Sequence, residues 1–103
     1  MKIAVTAIED QLTSEIDLRF GRAKYLLVVD TDTGDFKAHD NSVNLNASQG
    51  AGIQTGSNIA NLGVEAVITG NVGPNAFKTL SAAGVKIFLA DKQTVAEAVE
   101  SFK

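Results

Sequence analysis

The hydrophobic pattern of this chain divides into short apolar runs and longer stretches with helical spacing. Five runs rich in Val, Ile and Leu are typical of strands. The predicted strands are Lys2–Ile8, Tyr25–Asp30, Phe36–Asp40, Ala66–Thr69 and Val85–Ala90. The second is continuously apolar, so we expect it to be covered on both faces. The third is more polar, which is typical of an edge strand.

Three stretches repeat apolar residues at the spacing of an amphipathic helix. The first follows Gly50-Ala51-Gly52, the second begins at Pro74, and the third begins at Thr94 with a capping box, Thr94-Val95-Ala96-Glu97. Gly63 and Gly84 are placed to end the first two helices. The expected buried residues are Ile53, Ile59, Ala60 and Leu62, then Phe77 and Leu80 with Ala76 or Ala83, then Val95, Ala98, Val99 and Phe102.

The order of these elements restricts the topology. A hairpin turn at Asp32-Thr33-Gly34-Asp35 joins the second and third strands, and the later helical crossovers must be right-handed and parallel. We therefore predict one α/β domain over residues 1–103, with a five-stranded mixed sheet of order 3-2-1-4-5, only strand 2 reversed, and three helices. Such a sheet opens a crevice between the carboxyl ends of strands 1 and 4, where open α/β sheets bind ligands.

A glycine-rich turn at this edge has the capacity to bind an anion. Gly70-Asn71-Val72-Gly73 links a buried strand to a helix that starts at Pro74, with Asn75 in its first turn. A helix N-terminus presents unpaired N–H groups and roughly half a positive charge. An ordinary strand-to-helix connection that binds nothing accounts for the same residues, and both interpretations stay open at this point. Turn formation similarly accounts for exposed asparagines, among which we count Asn41 and Asn71.

Composition excludes several classes of protein. The 103 residues are 45% hydrophobic and carry a formal net charge of −3, which is ordinary for a folded domain and argues against binding to nucleic acid or anionic membranes. There is no cysteine, no apolar run long enough to span a membrane, and no signal-peptide pattern after Met1. We expect a soluble cytoplasmic protein.

The search for catalytic motifs is negative. Gly50-x-Gly52 with Gly56 follows a polar loop, whereas a dinucleotide fingerprint follows the first strand. His39 is the only histidine, so the chain can form neither a two-histidine metal site nor a histidine-based triad, and we expect His39 on the edge strand or surface. The sheet order is that of ribonuclease H, but a two-metal nuclease needs carboxylates on the central strands, and strands 1 and 4 have none.

Residues 9–24 form a long polar connection that ends in a cluster of cations. Arg19, Arg22 and Lys24 surround Phe20. Either this segment is a cationic, mobile flap over the glycine turns, or it is a solvated loop whose ion pairs contribute little. Phe20 favours the first interpretation slightly, although it could also anchor the loop to the core.

Four segments carry motifs that are specific when they occur together. They are Arg19-Phe20-Gly21-Arg22-Ala23, Gly50-Ala51-Gly52, the run from Val67 to Phe77 that contains Gly-x-x-Gly-Pro-Asn-Ala, and Ala83-Gly84-Val85. In this combination the chain resembles the dinitrogenase iron–molybdenum cofactor biosynthesis family, which includes nitrogenase accessory factors and cofactor carriers. The resemblance covers roughly residues 3–103.

The resemblance implies a ribonuclease H-like fold and the binding or carriage of an anionic iron–sulfur or iron–molybdenum cluster, without catalysis. It also implies cluster-assembly proteins as partners. Many members have a histidine just before the Gly-Ala-Gly turn, where this chain has Gln49. Glutamine is a poor iron ligand. A cluster here is therefore expected to be held by amide N–H groups, Arg19 and Arg22, with His39 as the one histidine that could contribute.

The predicted function is thus a non-enzymatic binding or carrier module for a metallocluster. The alternative is a regulatory domain that binds a small anion or phosphate ligand and no cluster, and a third possibility is a structural domain without a ligand. The residues expected at the ligand site are Arg19, Phe20, Arg22, Gln49, Gly50, Gly52, Gly70, Asn71, Gly73 and Asn75.

Overall fold

The fold consists of one mixed sheet with helices on both faces. The computed structural model describes residues 1–41 and 51–102, with the backbone alone for 51–54. Within these residues the elements are β1 (Lys2–Ala7), a 3-10 turn (Phe20–Arg22), β2 (Tyr25–Asp30), β3 (Phe36–Asp40), α1 (Ala51–Asn61), β4 (Ala66–Thr69), α2 (Pro74–Ala82), β5 (Lys86–Leu89) and α3 (Val95–Phe102). The described part of the chain contains no helix that is long and apolar enough to cross a membrane.

The strand order is β3-β2-β1-β4-β5, as the sequence predicts. β2 is antiparallel to both β1 and β3, whereas β1, β4 and β5 are mutually parallel. In the register Val5 lies between Leu27 of β2 and Ile68 of β4, so the apolar centres of three strands are aligned. The carboxyl ends of β1, β4 and β5 consequently meet at one edge of the sheet.

Two hydrophobic clusters cover the two faces of the sheet. On one face, Ala4 and Val67 pack with Phe20, Ile59 and Leu80, which brings α1, α2 and the 3-10 turn onto the sheet. The cluster on the other face contains Val5, Ile16, Ile68, Ala98 and Val99, and this brings α3 and part of the loop between β1 and β2 onto the sheet. The alternation of side chains along each strand explains why neighbouring residues join different clusters.

Helix α2 corrects one prediction about its buried face. Ala76 and Leu80 are buried as expected, but Phe77 is 55% exposed and Ala83 is also exposed. Residues four apart share a helix face, and Phe77 lies about 100° around the helix from Ala76. Gly84 has a φ of 76° and ends this helix as predicted.

Smaller differences concern the limits of elements. β1 stops at Ala7, so Ile8 is exposed, and β5 is one residue shorter at each end than the predicted Val85–Ala90. In α1, Ile59 is buried as expected, whereas Ala60 and Leu62 are half-buried. The expected burial of Ile53 concerns a side chain outside the described residues.

The predicted capping box at the start of α3 is present. The Thr94 backbone N–H donates to Glu97 Oε1 at 3.0 Å, and the Glu97 backbone N–H donates to Thr94 Oγ1 at 3.2 Å. The hydrogen bond from the Thr94 backbone N–H lowers the pKa of Glu97, and the hydrogen bond from the Thr94 hydroxyl lowers it to a smaller extent. The reciprocal bonds satisfy two N–H groups that the helix itself leaves without partners.

We expect the contribution of Glu97 to stability to disappear in acid. Because its pKa in the folded protein lies below the ordinary value of 4.5, the ionised group stabilises the fold above that value and the contribution is lost as the pH falls through the lower, folded pKa. Urea unfolding at pH 7 should show Glu97→Gln to be less stable than wild type, and the difference should shrink near pH 3. Glu9→Gln, at an exposed loop position, is the control for removal of a charge and should leave the unfolding free energy at pH 7 within about 0.5 kcal/mol of wild type.

Candidate functional site

The long loop between β1 and β2 is packed against the carboxyl edge of the sheet. Backbone hydrogen bonds run from Ile8 N to Glu15 O at 3.2 Å, from Ile16 N to Gln93 O at 2.8 Å, and from Phe20 N to Asn71 O at 3.2 Å. These bonds attach the loop to itself, to the segment before α3, and to the turn after β4. The expectation of a free, mobile flap is therefore corrected to a loop fixed at several points.

Asp17 is the innermost attachment of this loop. Its backbone N–H donates to Thr6 O at 2.8 Å, and its carbonyl oxygen accepts from the Thr6 hydroxyl at 2.6 Å. The Thr6 and Thr69 hydroxyl oxygens lie 2.8 Å apart, and all three residues are buried. The loop thus crosses the carboxyl ends of β1 and β4, where the sheet order predicts a crevice, and satisfies the polar groups there.

Gly70 is required because Leu18, the residue after Asp17 in the loop, packs directly against it. A Cβ atom at position 70 would lie 2.6 Å from Leu18 Cβ and 2.7 Å from Leu18 Cα. Contacts this short with a backbone atom would force the loop and the turn apart. Gly70 therefore serves loop packing, whereas a Cβ at Gly73 would meet no described atom within 4 Å.

Arg19 is held by a buried carboxylate and projects outward. Asp17 Oδ1 accepts from Arg19 N at 2.9 Å and from Arg19 Nε at 3.2 Å. The Asp17 side chain is only 6% exposed, whereas that of Arg19 is 72% exposed. Arg19 also forms an isolated parallel bridge with Asn71, next to the glycine turn. The structure therefore brings Arg19, Gly70 and Asn71 together.

The other residues of the cationic segment have different positions. Phe20 is buried in the cluster under α1 and α2, so it anchors the loop and its ring is not exposed to a ligand. Arg22 is exposed at the end of the 3-10 turn, and its backbone N–H donates to the backbone oxygen of Arg19 at 3.1 Å. Lys24 Nζ lies 5.6 Å from the centre of the Tyr25 ring.

Helix α2 begins beside this cluster with an open N-terminus. Gly73 is its N-cap, with φ −72° and ψ 167°, and Pro74 occupies the first turn. No side chain among the described residues caps this end. Asn75 is exposed in the first turn. An uncapped first turn keeps its N–H groups available to an anion.

The remaining predicted residues come just before α1 in the sequence, in its first turn, or on β3. Gln49 and Gly50 lie outside the described residues, and Gly52 lies in the first turn of α1. His39 is half-buried on β3 and lines a groove of about 470 Å³ together with residues such as Lys2 and Asn61, and neither arginine lines this groove. Residues 1–41 and 51–102 contain no group of three or more His, Asp or Glu side chains that could hold a metal ion.

A family model, described as dinitrogenase iron-molybdenum cofactor, matches residues 1–103. The chain belongs to this family. Membership in the dinitrogenase iron-molybdenum cofactor family indicates a role related to a cofactor, and it accounts for the combination of Arg-Phe-Gly-Arg and Gly-x-x-Gly-Pro-Asn-Ala motifs.

One relative and two solved structures are similar to this chain over nearly its whole length. The uncharacterized protein MJ0580 of Methanocaldococcus jannaschii is 30% identical, with 99% of this chain and 85% of that protein aligned. The apo form of the orange protein from Desulfovibrio gigas has a TM-score of 0.95 and 41% identity, covering 98% of this chain and 85% of that one. A NifB-like protein from Thermotoga has a TM-score of 0.85 and 36% identity, with the same coverage.

Sequence reasoning missed the residues that position the site. Asp17 and Thr6 look like an ordinary loop acid and strand residue, and only their contact in the folded chain reveals the anchor. Asn41, expected to be exposed, is buried: its Nδ2 donates to Ala23 O at 2.8 Å and lies 3.1 Å from Thr55 Oγ1. A signal was available for Thr6 and Thr69, since each is a polar residue at the end of an otherwise apolar central strand.

We expect Thr6→Val to destabilise the protein more than Thr69→Val. Loss of the Thr6 hydroxyl leaves the Asp17 carbonyl without its 2.6 Å donor, with Thr69 3.5 Å away as a weak substitute. A buried group left without a partner costs about 1–3 kcal/mol, whereas loss of the Thr69 hydroxyl should cost about 1 kcal/mol or less. Chemical denaturation of the two isosteric variants measures both values. Equal losses would contradict the assignment of Thr6 as the principal donor.

We expect Gly70→Ala to be destabilising and Gly73→Ala to be tolerated. The methyl group at position 70 overlaps the Leu18 backbone, and overpacking of this kind costs about 1–3 kcal/mol. The methyl group at position 73 meets no described atom, so the change in unfolding free energy should stay within about 0.5 kcal/mol. Thermal and urea unfolding of both variants test this pair, and a Gly70→Ala protein as stable as wild type would contradict the close approach of Leu18.

Proposed function

We propose that this protein is a non-enzymatic module that binds and carries an anionic metallocluster of the iron–sulfur or iron–molybdenum type. The observation that carries the proposal is the position of Arg19. A buried carboxylate fixes the arginine beside the turn at Asn71, close to the uncapped start of α2, while leaving its side chain 72% exposed. Family membership supplies the class of ligand.

The proposed contacts are hydrogen bonds and charges around the cluster, without thiolate ligands. The chain has no cysteine, so it offers no thiolate ligand for iron. Guanidinium and backbone N–H groups bind anions by charge-assisted hydrogen bonds, and these are reversible on exchange with another protein. Arg19, Arg22, Asn71, Gly73 and Asn75 are the described residues we assign to this contact. Gln49, Gly50 and Gly52 complete the proposed site, and His39 is the only histidine that could add a metal ligand.

The surroundings of Arg19 support binding over catalysis. Among the described residues, Asp17 is the one buried carboxylate near the arginine, and it accepts hydrogen bonds from Arg19, whereas His39 lies along a groove that the arginines do not line. A general acid–base pair would need two titratable groups within reach of one substrate. A carrier instead receives its cargo from cluster-assembly proteins and passes it on, so such proteins are the proposed partners.

The alternative is that the same edge binds a small oxyanion in a regulatory role. The open first turn of α2 favours it, since a single uncapped turn accommodates one tetrahedral anion without any cluster. The two functions differ in the ligand that the arginines recognise, and one experiment compares them.

We expect Arg19→Ala and Arg22→Ala each to weaken ligand binding. A cation in contact with a multiply charged ligand in a partly desolvated site contributes on the order of 1–3 kcal/mol, which corresponds to roughly a five- to hundredfold loss of affinity. Arg19→Lys should recover only part of the loss if the guanidinium makes two hydrogen bonds. Anaerobic calorimetry with isolated iron–molybdenum cofactor, and separately with molybdate and with phosphate, measures these affinities at two salt concentrations.

Lys86→Ala is the matched control, since this exposed lysine begins β5 at the opposite end of the sheet. It should bind as wild type does. Tight binding of the cluster alone supports the carrier, and tight binding of phosphate or molybdate alone supports the regulatory alternative. If both arginine variants bind every probe as wild type does, the loop plays no part in recognition and the proposal is wrong.

A further inference from the structure

The β5 edge of the sheet carries free backbone groups. Among the described residues β5 pairs only with β4, on one side. The backbone N–H of Lys86 donates to Glu65 O at 3.1 Å, and that of Ala90 donates to Thr69 O at 2.8 Å. The backbone groups of Lys86 and Ala90 therefore point toward β4. Backbone groups alternate in direction along a strand, and the N–H and C=O groups of Ile87 and Leu89 therefore point away from β4.

This edge also concentrates exposed apolar side chains. Leu89 is 67% exposed, Phe77 55% and Phe88 42%, which are three of the four most exposed large hydrophobic residues in the described part of the chain. Leu89 lies level with Thr69 and shares the α2 face with Ile87, two residues earlier. Phe77 lies in the first turns of α2, which starts just beyond Thr69.

Phe88 lies on the opposite face of the same strand. Its ring packs edge-on against Phe102 of α3, with centroids 5.0 Å apart. An adjacent groove of about 180 Å³ is lined by Ile68, Ala98 and Phe102, among others. The edge is therefore apolar on both faces, and the α3 face has space for one more apolar side chain.

The other edge of the sheet lacks this character. β3 presents Lys37, His39 and Asp40 among its five residues. Charged and polar residues on an edge strand oppose pairing with another chain, and β5 has one such residue, Lys86 at its first position, before three apolar ones. The chain therefore protects one edge and leaves the other open.

We propose that β5 pairs antiparallel with β5 of a second copy of this chain, which would join the two sheets into one. The free groups of Ile87 and Leu89 dictate the register: Ile87 of each copy exchanges hydrogen bonds with Leu89 of the other, and the two Phe88 residues lie opposite each other. The two members of each pair then lie on the same face of the joined sheet, Ile87 with Leu89 on the α2 face and the two Phe88 residues on the α3 face, and each pair is apolar.

The charges of this edge fit a second copy, and its area determines how strong the pairing is. Lys86 begins the strand and Asp91 follows its end, so antiparallel alignment brings the cationic end of one copy to the anionic end of the other. The exposed parts of Phe77, Phe88 and Leu89 amount to on the order of 300 Å² per copy. With the strand backbone added, the total falls below the roughly 1,200 Å² of standard stable complexes. The dimer is therefore weak and reversible.

Sedimentation velocity of the full chain from about 10 µM to about 1 mM tests the association. The average mass should rise from monomer toward dimer, and Leu89→Lys should raise the dissociation constant at least about tenfold, because a charge would be buried in the pair. Phe36→Lys is the control, since Phe36 is also an exposed large hydrophobic residue, at 41%, on the opposite edge, and this variant should associate as wild type does.

Amide hydrogen exchange tests the register in the unmodified protein. Protection of the Ile87 and Leu89 amides should increase with protein concentration, while the Phe88 amide, which already faces β4, should not change. A monomer at every concentration overturns the proposal. So does an association that Leu89→Lys leaves intact, or a gain in protection at Phe88 in place of its two neighbours.

Discussion

The candidate site depends on a buried exchange of hydrogen bonds between Thr6 and Asp17. At the carboxyl end of β1, the Thr6 carbonyl and hydroxyl both lie in the interior, and Asp17 supplies a donor for one and an acceptor for the other. A buried polar group without a partner is costly, so the loop cannot leave this position without exposing or orphaning these groups. The strand end thereby determines where the loop lies.

The same exchange determines the electrostatics of the edge. Fixing the Asp17 backbone places its carboxylate beneath Arg19, and the ion pair orients an arginine whose long side chain would otherwise sample many rotamers. The chain as a whole has a net charge of −3, yet Arg19, Arg22 and Lys24 fall within a single packed segment. These cations can attract an anion even though the protein is acidic overall. The acidic residues that lie more than about 10 Å from the anion are largely screened from it at ordinary salt concentrations.

The sequence predicts the sheet far better than the contacts of its loops. Apolar runs such as Ala66–Thr69 are short, buried and closely followed by glycine, so the existence of each strand and the parallel crossovers follow from local rules, even where a limit moves by a residue. The burial of Asn41 and the exposure of Phe77 depend on which element packs above each residue, and no local pattern encodes that. Gly70 looks like a turn residue, although its role is to admit the backbone of Leu18, which is distant in sequence.

The geometry of the sheet also determines how the two proposed ligand sites of a dimer are oriented relative to each other. Antiparallel pairing of β5 with its copy points the carboxyl ends of the two sets of parallel strands in opposite directions. The Arg19 clusters would then lie at opposite ends of the joined sheet, each beside its own α2 N-terminus. Because neither cluster faces the pairing edge, the dimer leaves both open, and a bound anion adds no repulsion across the interface. Helix α2 is the element that contributes to both surfaces, with Gly73 and Asn75 at the ligand site and Phe77 at the association surface, so any coupling between association and ligand binding would pass through its first turns.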